Sequence, residues 1–392
     1  MRIVHVTDYF QPQAGYQEYF LARAHRELGH DVTVLTSDRY MLFPDYARTW
    51  EPVLGARQRA PGQAEELGVV VRRLPVWLEL ASRTFVLLRG LAAALRELAP
   101  ELVMGHDLLS PTTFALARLQ PRLGYRLVMD NHACDFNTRL DDSLAKRTYM
   151  GWYGACVAPL VRARATVLAI GRGEREMACR VLALPEARVP LFPLGADAAR
   201  FRPDGDARAR TRARLGLAEA DRVIVHAGKL TAEKDVVELA RAFARVAARH
   251  PEARLLLVGG GDPAYLRRVR AEVPPGRLIE HPTVPNAELP ALFAAADVAC
   301  WPGNFSQVIV EGLASALPVV LPSEFCAGYP SADLLARENG LAFPRGDVDA
   351  LAAALARLVA DPAAARAMGV RSRELVLQQL TWEALAQRLL EL

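Results

Sequence analysis

Short β-branched apolar runs alternate along this chain with longer stretches in which apolar residues recur every three or four positions. Residues 3–6 form the first run, and helical spacing follows over 18–28, closed by Gly29. Further runs lie at 31–36, 69–74, 102–104, 126–129 and 166–170, with a helical stretch over 83–98 that stops before Pro100. Residues 54–68 lack either period and read as loop. Such alternation predicts a parallel sheet with helices on both faces. A charged, turn-prone stretch, Phe201-Arg-Pro-Asp-Gly-Asp206, interrupts it, and the pattern then restarts. Runs at 222–227, 254–258, 278–281, 298–301 and 319–321 follow, with a helix expected over 236–249. The expectation is an α/β chain of two doubly wound, Rossmann-like domains, 1–203 and 204–375, and a closing segment, 376–392, whose helix returns to the first domain. Ligands of such sheets bind beyond the carboxyl ends of the strands, which makes the cleft between the domains the default site.

Composition narrows the class. With 392 residues, 52% apolar and 23% charged, the chain has the make-up of a globular protein large enough for two domains. No apolar run reaches the ~18 residues that span a bilayer, and the N-terminus reads as a strand rather than a signal core. A cytoplasmic location is expected. Five scattered cysteines without a CxxC pair argue against disulfides and structural zinc, and no metal-ligand spacing occurs. Residues 1–203 carry 26 basic against 21 acidic side chains, whereas 204–392 carry 22 against 23. That excess is too small to point to nucleic acid. It leaves open a peripheral contact of the N-terminal half with an anionic acceptor or the inner membrane face, for which the 72–78 segment and the 83–98 helix are the candidate surface.

Four places can carry chemistry. Gly15 lies between the first strand and first helix, where a glycine lets backbone amides approach an anion, though no GxGxxG dinucleotide fingerprint is present. Asp130-Asn-His132-Ala-Cys-Asp135 crowds polar groups at a strand's carboxyl end; His132 can hydrogen-bond a sugar or phosphate, and the two aspartates can accept hydroxyl protons or simply cap the next helix. Only three of the 48 basic residues are lysines, and two, Lys229 and Lys234, stand five apart after an apolar run ending in Gly228. Lysine is a usable point-charge phosphate binder. Last, Pro302 to Glu311 leads from a strand into a helix that Asn304 or Ser306 can cap. The amides of Ser306, Gln307 and Val308 would then favour an anion, with Glu311 in reach of diol hydroxyls.

Taken in order, Gly228-Lys-Leu-Thr-Ala-Glu-Lys234, Leu257-Val-Gly-Gly-Gly-Asp262, Val284-Pro-Asn-Ala-Glu288 and Val308-Ile-Val-Glu311-Gly-Leu-Ala resemble the nucleotide-sugar-binding half of retaining glycosyltransferases of family four, which have the GT-B fold. Val6-Thr-Asp-Tyr-Phe-Gln-Pro, Gly29-His-Asp-Val-Thr-Val-Leu-Thr36 and Pro193-Leu-Gly-Ala-Asp197 resemble the N-terminal half. The resemblance implies a nucleoside diphosphate sugar as co-substrate, with no resident cofactor and no metal. Lys229 and Lys234 would hold the diphosphate and act in catalysis beside His132. Gly15, Ser306, Gln307, Val308 and Glu311 would complete the donor site. Tyr16, Asp130 and Asp135 would face a sugar acceptor that is a small molecule, a glycan or a lipid-linked sugar.

Two departures stand out. Tyr16 occupies the place of a second glycine, and Gly303 stands eight residues before Glu311, where the family has a glutamate that reads the donor sugar. The loop from Pro302 is also shorter than the family's. Two alternatives therefore stay open: a degenerate binding subunit without transferase activity, and a nucleotide-sugar epimerase using the 130–135 carboxylates.

Overall fold

The computed structural model describes all residues of the chain except 44, 81–84, 136, 141–142, 327–328 and 331–332. Contacts divide the chain into two units. One comprises Met1–Pro44, Leu54–Leu194 and Trp382–Leu392, and the other Asp45–Val53 and Gly195–Thr381.

In the first unit the strands are β1 (Arg2–Val6), β2 (Asp31–Ser37), β3 (Gly62–Glu66), β4 (Val69–Leu74), β5 (Val76–Leu80), β6 (Phe85–Leu88), β7 (Leu102–Gly105), β8 (Arg126–Asn131) and β9 (Ala165–Ala169). Seven of them form one sheet in the order β3-β4-β2-β1-β7-β8-β9, parallel apart from the β3–β4 pair. Strand order reverses between β1 and β7. Val6, Val103, Leu127 and Val167 on the sheet pack with Leu95, Leu116 and Val161 from the covering helices.

The second unit holds β10 (Arg222–Ala227), β11 (Ala253–Val258), β12 (Leu278–His281), β13 (Val298–Cys300), β14 (Val319–Pro322), the short ribbon β15 (Glu324–Cys326) and β16 (Tyr329–Pro330), and β17 (Gly340–Phe343). Its main sheet is parallel throughout, in the order β12-β11-β10-β13-β14-β17, and reverses between β10 and β13. Helices Val236–Ala247 and Val348–Ala360 cover one face, where Phe243, Val246, Leu255 and Leu355 are buried together. Each such side chain contributes roughly 1.5–3 kcal/mol by leaving water.

The structure departs from the sequence expectations in several places. Residues 62–66 lie in the stretch read as loop, yet they form an edge strand; all five are polar, small or exposed, so no alternation marks them. The helix expected over 83–98 is a strand, β6, followed by helix Leu91–Leu98, and its first two positions lie outside the described residues. Gly90, at φ 87°, makes the break. The change of unit falls at Leu194–Gly195 rather than after 203, because 195–203 pack on the second unit. Ala196 donates its amide to Leu380 (2.8 Å), and Arg373 donates to the Phe201 carbonyl (2.8 Å). Helix Pro362–Gln379 continues through the expected boundary at 375, and the last helix, Trp382–Glu391, belongs to the first unit. Its Trp382 stacks on Phe20 at 5.5 Å, with the rings 9° apart. Among the described residues no helix is long and apolar enough to cross a membrane. Trp77 on β5 is 76% exposed.

Candidate active site

In each unit the candidate residues gather at the point where strand order reverses, as expected for open α/β sheets. In the second unit β10 ends at Ala227, and Gly228 to Asp235 cross to helix Val236–Ala247. This lysine loop is held largely by backbone, with Arg345 adding a side-chain bond to Asp235 (2.7 Å). Gly228 donates its amide to Val258 (2.9 Å) and Leu230 donates to Gly260 (2.9 Å), which ties it to the glycine run after β11. A Cβ on Gly259 would sit 1.9 Å from the Gly228 carbonyl oxygen, and one on Gly261 would sit 2.0 Å from that of Leu230. Only glycine permits that approach.

The other side of the loop faces Gly303. A Cβ there would lie 2.5 Å from the carbonyl oxygen of Glu233 and from Cα of Lys234. The amide of Asn304 donates to the Glu233 carbonyl (3.2 Å), and Nζ of Lys234 donates to the carbonyls of Asn304 (2.9 Å) and Phe305 (3.3 Å). The short 302–305 loop is thus fastened onto the lysine loop. The glycine where the family has glutamate has a packing reason: no larger side chain fits between the two backbones.

Desolvation lowers the pKa of Lys234 to about 8; Glu233 opposes this, while Lys229 and Arg345 add to it. Desolvation also lowers the pKa of Lys229, with Glu233 again opposing. Lys234, held and desolvated this way, is well placed to recover electrostatic energy from an anion. Below them His226, buried at the end of β10, has Nδ1 2.9 Å from the Cys300 carbonyl, and burial brings its pKa to about 4, so the ring is neutral.

Helix Val308–Ala314 begins directly after the fastened loop. Its N-cap is Gln307 with no side-chain cap, so neither Asn304 nor Ser306 caps it; the backbone of Asn304 bonds the lysine loop. Among the described residues no backbone carbonyl accepts from the amides of Ser306 or Val308. Glu311 is buried, with Oε1 accepting from Asn286 (2.8 Å) and Gln307 (3.2 Å). Desolvation outweighs those two bonds and raises its pKa to about 7.

In the first unit Gly15, at φ 70°, turns the chain into helix Gln17–Glu27, for which Tyr16 is the N-cap. Gln17 donates to Oδ2 of Asp130 (3.1 Å) at the end of β8. Asp130 has no exposed surface; His106 lies 2.7 Å from Oδ2, and the Asp107 amide (3.1 Å) and His132 Nε2 (3.4 Å) meet Oδ1. Desolvation opposes its charge, but His106 and His132 prevail and hold its pKa well below the usual range. Desolvation likewise lowers the pKa of His132, yet Asp130, Glu18 and Asp107 overcome it and bring it to about 9, so the ring is an imidazolium near neutral pH. Asn131 donates to Ala133 (2.8 Å) and Glu174 (2.7 Å), and Asn137 donates to the His132 carbonyl (2.8 Å), which fixes the loop.

Asp130 therefore orients His132 and has no free face for the acceptor contact expected of it. Asp135 does not join the group: it is an exposed ion-pair partner of Arg180. Helix Leu144–Trp152 is capped by Ser143, not by the 130–135 loop. Asp8, Gln17, His106 and Asp107 were missed by sequence reasoning. Asp8 is buried with hydroxyl donors Thr112 (2.6 Å) and Ser110 (2.7 Å), and burial raises its pKa to about 7. Both Asp8 and His106 follow strands flanking the reversal point, and that position was the available signal. Among the described residues no cluster of three or more histidine, cysteine or carboxylate side chains is arranged to hold a metal.

Residues 19–200 match the model of Glycosyltransferase Family 4, and residues 221–361 match that of Glycosyl transferases group 1. The chain belongs to glycosyltransferase family 4. Among curated members it is 36% identical over 220 residues to a GDP-mannose-dependent alpha-(1-6)-phosphatidylinositol monomannoside mannosyltransferase of Mycolicibacterium smegmatis, covering 53% of this chain and 56% of that protein. It is 32% identical over 197 residues to a D-inositol 3-phosphate glycosyltransferase of Nocardia farcinica, covering 47% and 43%. The chain thus spans about half the length of the curated relatives it matches. Sucrose-phosphate synthase of Thermosynechococcus elongatus superposes over 99% of this chain and 97% of its own, with a TM-score of 0.71 at 22% identity. Anabaena Alr3699/HepE in complex with UDP gives 0.70 at 16%, covering 100% and 99%. The chain has the GT-B fold.

Proposed function

We propose that this chain transfers a sugar from a nucleoside diphosphate sugar to a hydroxyl acceptor, with retention of anomeric configuration. The observation that carries the reading is the lysine loop, which is locked by glycines at the reversal point of the second sheet and followed at once by the 306–308 amides and buried Glu311. Lys229, Lys234 and those amides supply countercharge to the diphosphate as the glycosidic bond breaks. Glu311, once ionised by the hydrogen bonds of a bound diol, accepts from ribose hydroxyls. His132, as an imidazolium held by Asp130, donates to the donor sugar. In the family the acceptor approaches from the leaving-group face and its proton passes to a donor phosphate oxygen, so the reading asks for no protein nucleophile.

The relatives' names make GDP-mannose the first donor to try, and inositol phosphates or phosphatidylinositol mannosides the first acceptors. A peripheral membrane encounter belongs to the same reading when the acceptor is lipid-linked. Gly303 has a packing reason, which removes one of the two motives for a degenerate binding subunit and leaves Tyr16 as the other. The epimerase alternative loses its carboxylate pair, since Asp135 and Asp130 have separate partners.

The test is a thermal-shift series with GDP, UDP, dTDP and ADP, followed by transfer assays with the stabilising nucleotide's sugars. Saturation at 100 times Kd stabilises a protein by about 2.7 kcal/mol. Stabilisation by one nucleotide, lost in Lys234→Ala, with an α-linked product from an α-linked donor, is the expected result. No stabilisation by any of the four, or equal binding by Lys234→Ala, would sink the diphosphate assignment.

A further inference from the structure

Three of the eight histidines form one buried line in the first unit, which ends through Asp130 on a fourth, partly exposed one. It starts at the Ala386 carbonyl in the last helix, 3.2 Å from Nε2 of His25. Nδ1 of His25 is 3.0 Å from Nε2 of His5, and Nδ1 of His5 is 3.0 Å from Nε2 of His106. Nδ1 of His106 then meets Oδ2 of Asp130 at 2.7 Å, and Asp130 holds His132 through Oδ1. His5 and His25 have no exposed surface.

The direction of this line follows from which rings are neutral, since a charged His25 with the opposite direction would satisfy the same contacts; no nitrogen of His25 or His5 meets a carboxylate to hold such a charge. A carbonyl only accepts, so His25 must carry its proton on Nε2. A neutral imidazole donates through one nitrogen and accepts through the other. Both ring nitrogens of His5 face only other imidazoles, so a charge there would have no counterion within hydrogen-bond distance. Burial accordingly keeps His5 well below its ordinary pKa and lowers His25 to about 4. With His25 neutral, its Nδ1 accepts and His5 must donate from Nε2. With His5 neutral, its Nδ1 accepts and His106 must donate from Nε2. The other nitrogen of His106 faces a carboxylate, which also only accepts.

We propose that His106 is a buried imidazolium whose second proton is imposed by the Ala386 carbonyl acting through His25 and His5, and that these three histidines are positioning residues for the Asp130–His132 pair. The last helix thereby sets a proton count at the reaction centre. The kinetic half of the proposal rests on His132 serving in transfer as described above; the proton count does not.

The test uses the full chain labelled with 15N-histidine and long-range 1H–15N correlation spectra near neutral pH. His5 and His25 are expected as neutral Nε2–H tautomers and His106 with both nitrogens protonated. A neutral His106, or an Nδ1–H tautomer at His5 or His25, overturns the proposal. In His25→Gln the amide can donate to Ala386 and its carbonyl can accept from His5, so His106 keeps both protons. His25→Phe offers no acceptor, His5 is free to reverse, and His106 loses one. If the phenylalanine variant does not fold, the unaltered and glutamine spectra still decide. In transfer assays His25→Phe should lower kcat several-fold at unchanged donor KM, with recovery in His25→Gln. Equal kcat in both variants overturns the positioning role. Absence of transfer by the unaltered protein would instead count against the functional reading, leaving the spectra to judge the proton count.

Discussion

The candidate sites of the two units are built by opposite means. Around Lys229 and Lys234 the scaffold is backbone against backbone: Gly259, Gly261 and Gly303 let three loops touch, and few side chains take part. Around His132 the scaffold is side chain against side chain, with Asp130, His106, His5 and His25 each held by the next. A backbone scaffold tolerates change in the side chains it displays but not at its glycines. A side-chain scaffold concentrates its specificity in protons, and fails when a donor or acceptor is removed.

The largest effect should come from the side-chain half. His132→Ala is expected to lower kcat by about 10²–10³, the usual cost of removing a preorganised donor, while nucleoside diphosphate affinity measured by calorimetry stays unchanged. A parallel loss of nucleotide affinity would mean the halves are not separable. Next, Gly303→Val forces side-chain atoms into the Lys234 backbone; overpacking of this kind costs roughly 1–3 kcal/mol. A lowered Tm with nucleotide affinity reduced about tenfold or more is expected, read by calorimetry, whereas wild-type affinity would deny the fastening of the two loops.

The lysines also make a pH prediction. A bound diphosphate favours protonated Lys234, whose pKa is lowered to about 8 in the free protein. Affinity should therefore be full below pH 8 and decline as pH rises through it, by at most about tenfold per unit. A flat profile from pH 7 to 9.5 in the parent would break the assignment, and Lys234→Arg, which stays charged, should flatten it. The smallest effect is at Asp135: its exposed pair with Arg180 belongs to the class worth about 0–1 kcal/mol. Asp135→Asn should leave kcat and Tm nearly unchanged, and a large drop in kcat would restore it to the site.

The same contrast explains what was legible in the sequence. Buried parallel strands announce themselves, and β4 and β10 fall where the apolar runs stand. The lysine loop was legible because its parts are contiguous and its glycines mark close approach. The histidine line was not: His5 and His106 are 101 residues apart, His5 and His25 are 20 apart, and their pairing depends on strand order that no local pattern encodes. Edge strand β3 escaped because a solvent-facing strand needs no apolar alternation. Helical spacing over 83–98 misleads because Leu and Val suit a half-buried strand as well as a helix, and the spacing runs through Gly90, where the chain turns. The Asn304 and Ser306 caps failed because the helix begins only at Val308, with Gln307 as its N-cap, while the Asn304 backbone is tied to the lysine loop.

The scarcity of lysine has a practical side. Amine-selective acylating reagents find only three side-chain targets in 392 residues, and they react with the neutral amine. Lys234, with its pKa near 8, offers that form under mild conditions where an ordinary lysine does not. Labelling chemistry on this protein is thus confined to the α-amine and a few lysines, two of which lie in the lysine loop. Protection by a bound nucleotide would convert a routine acylation and a peptide map into an occupancy meter for the donor pocket.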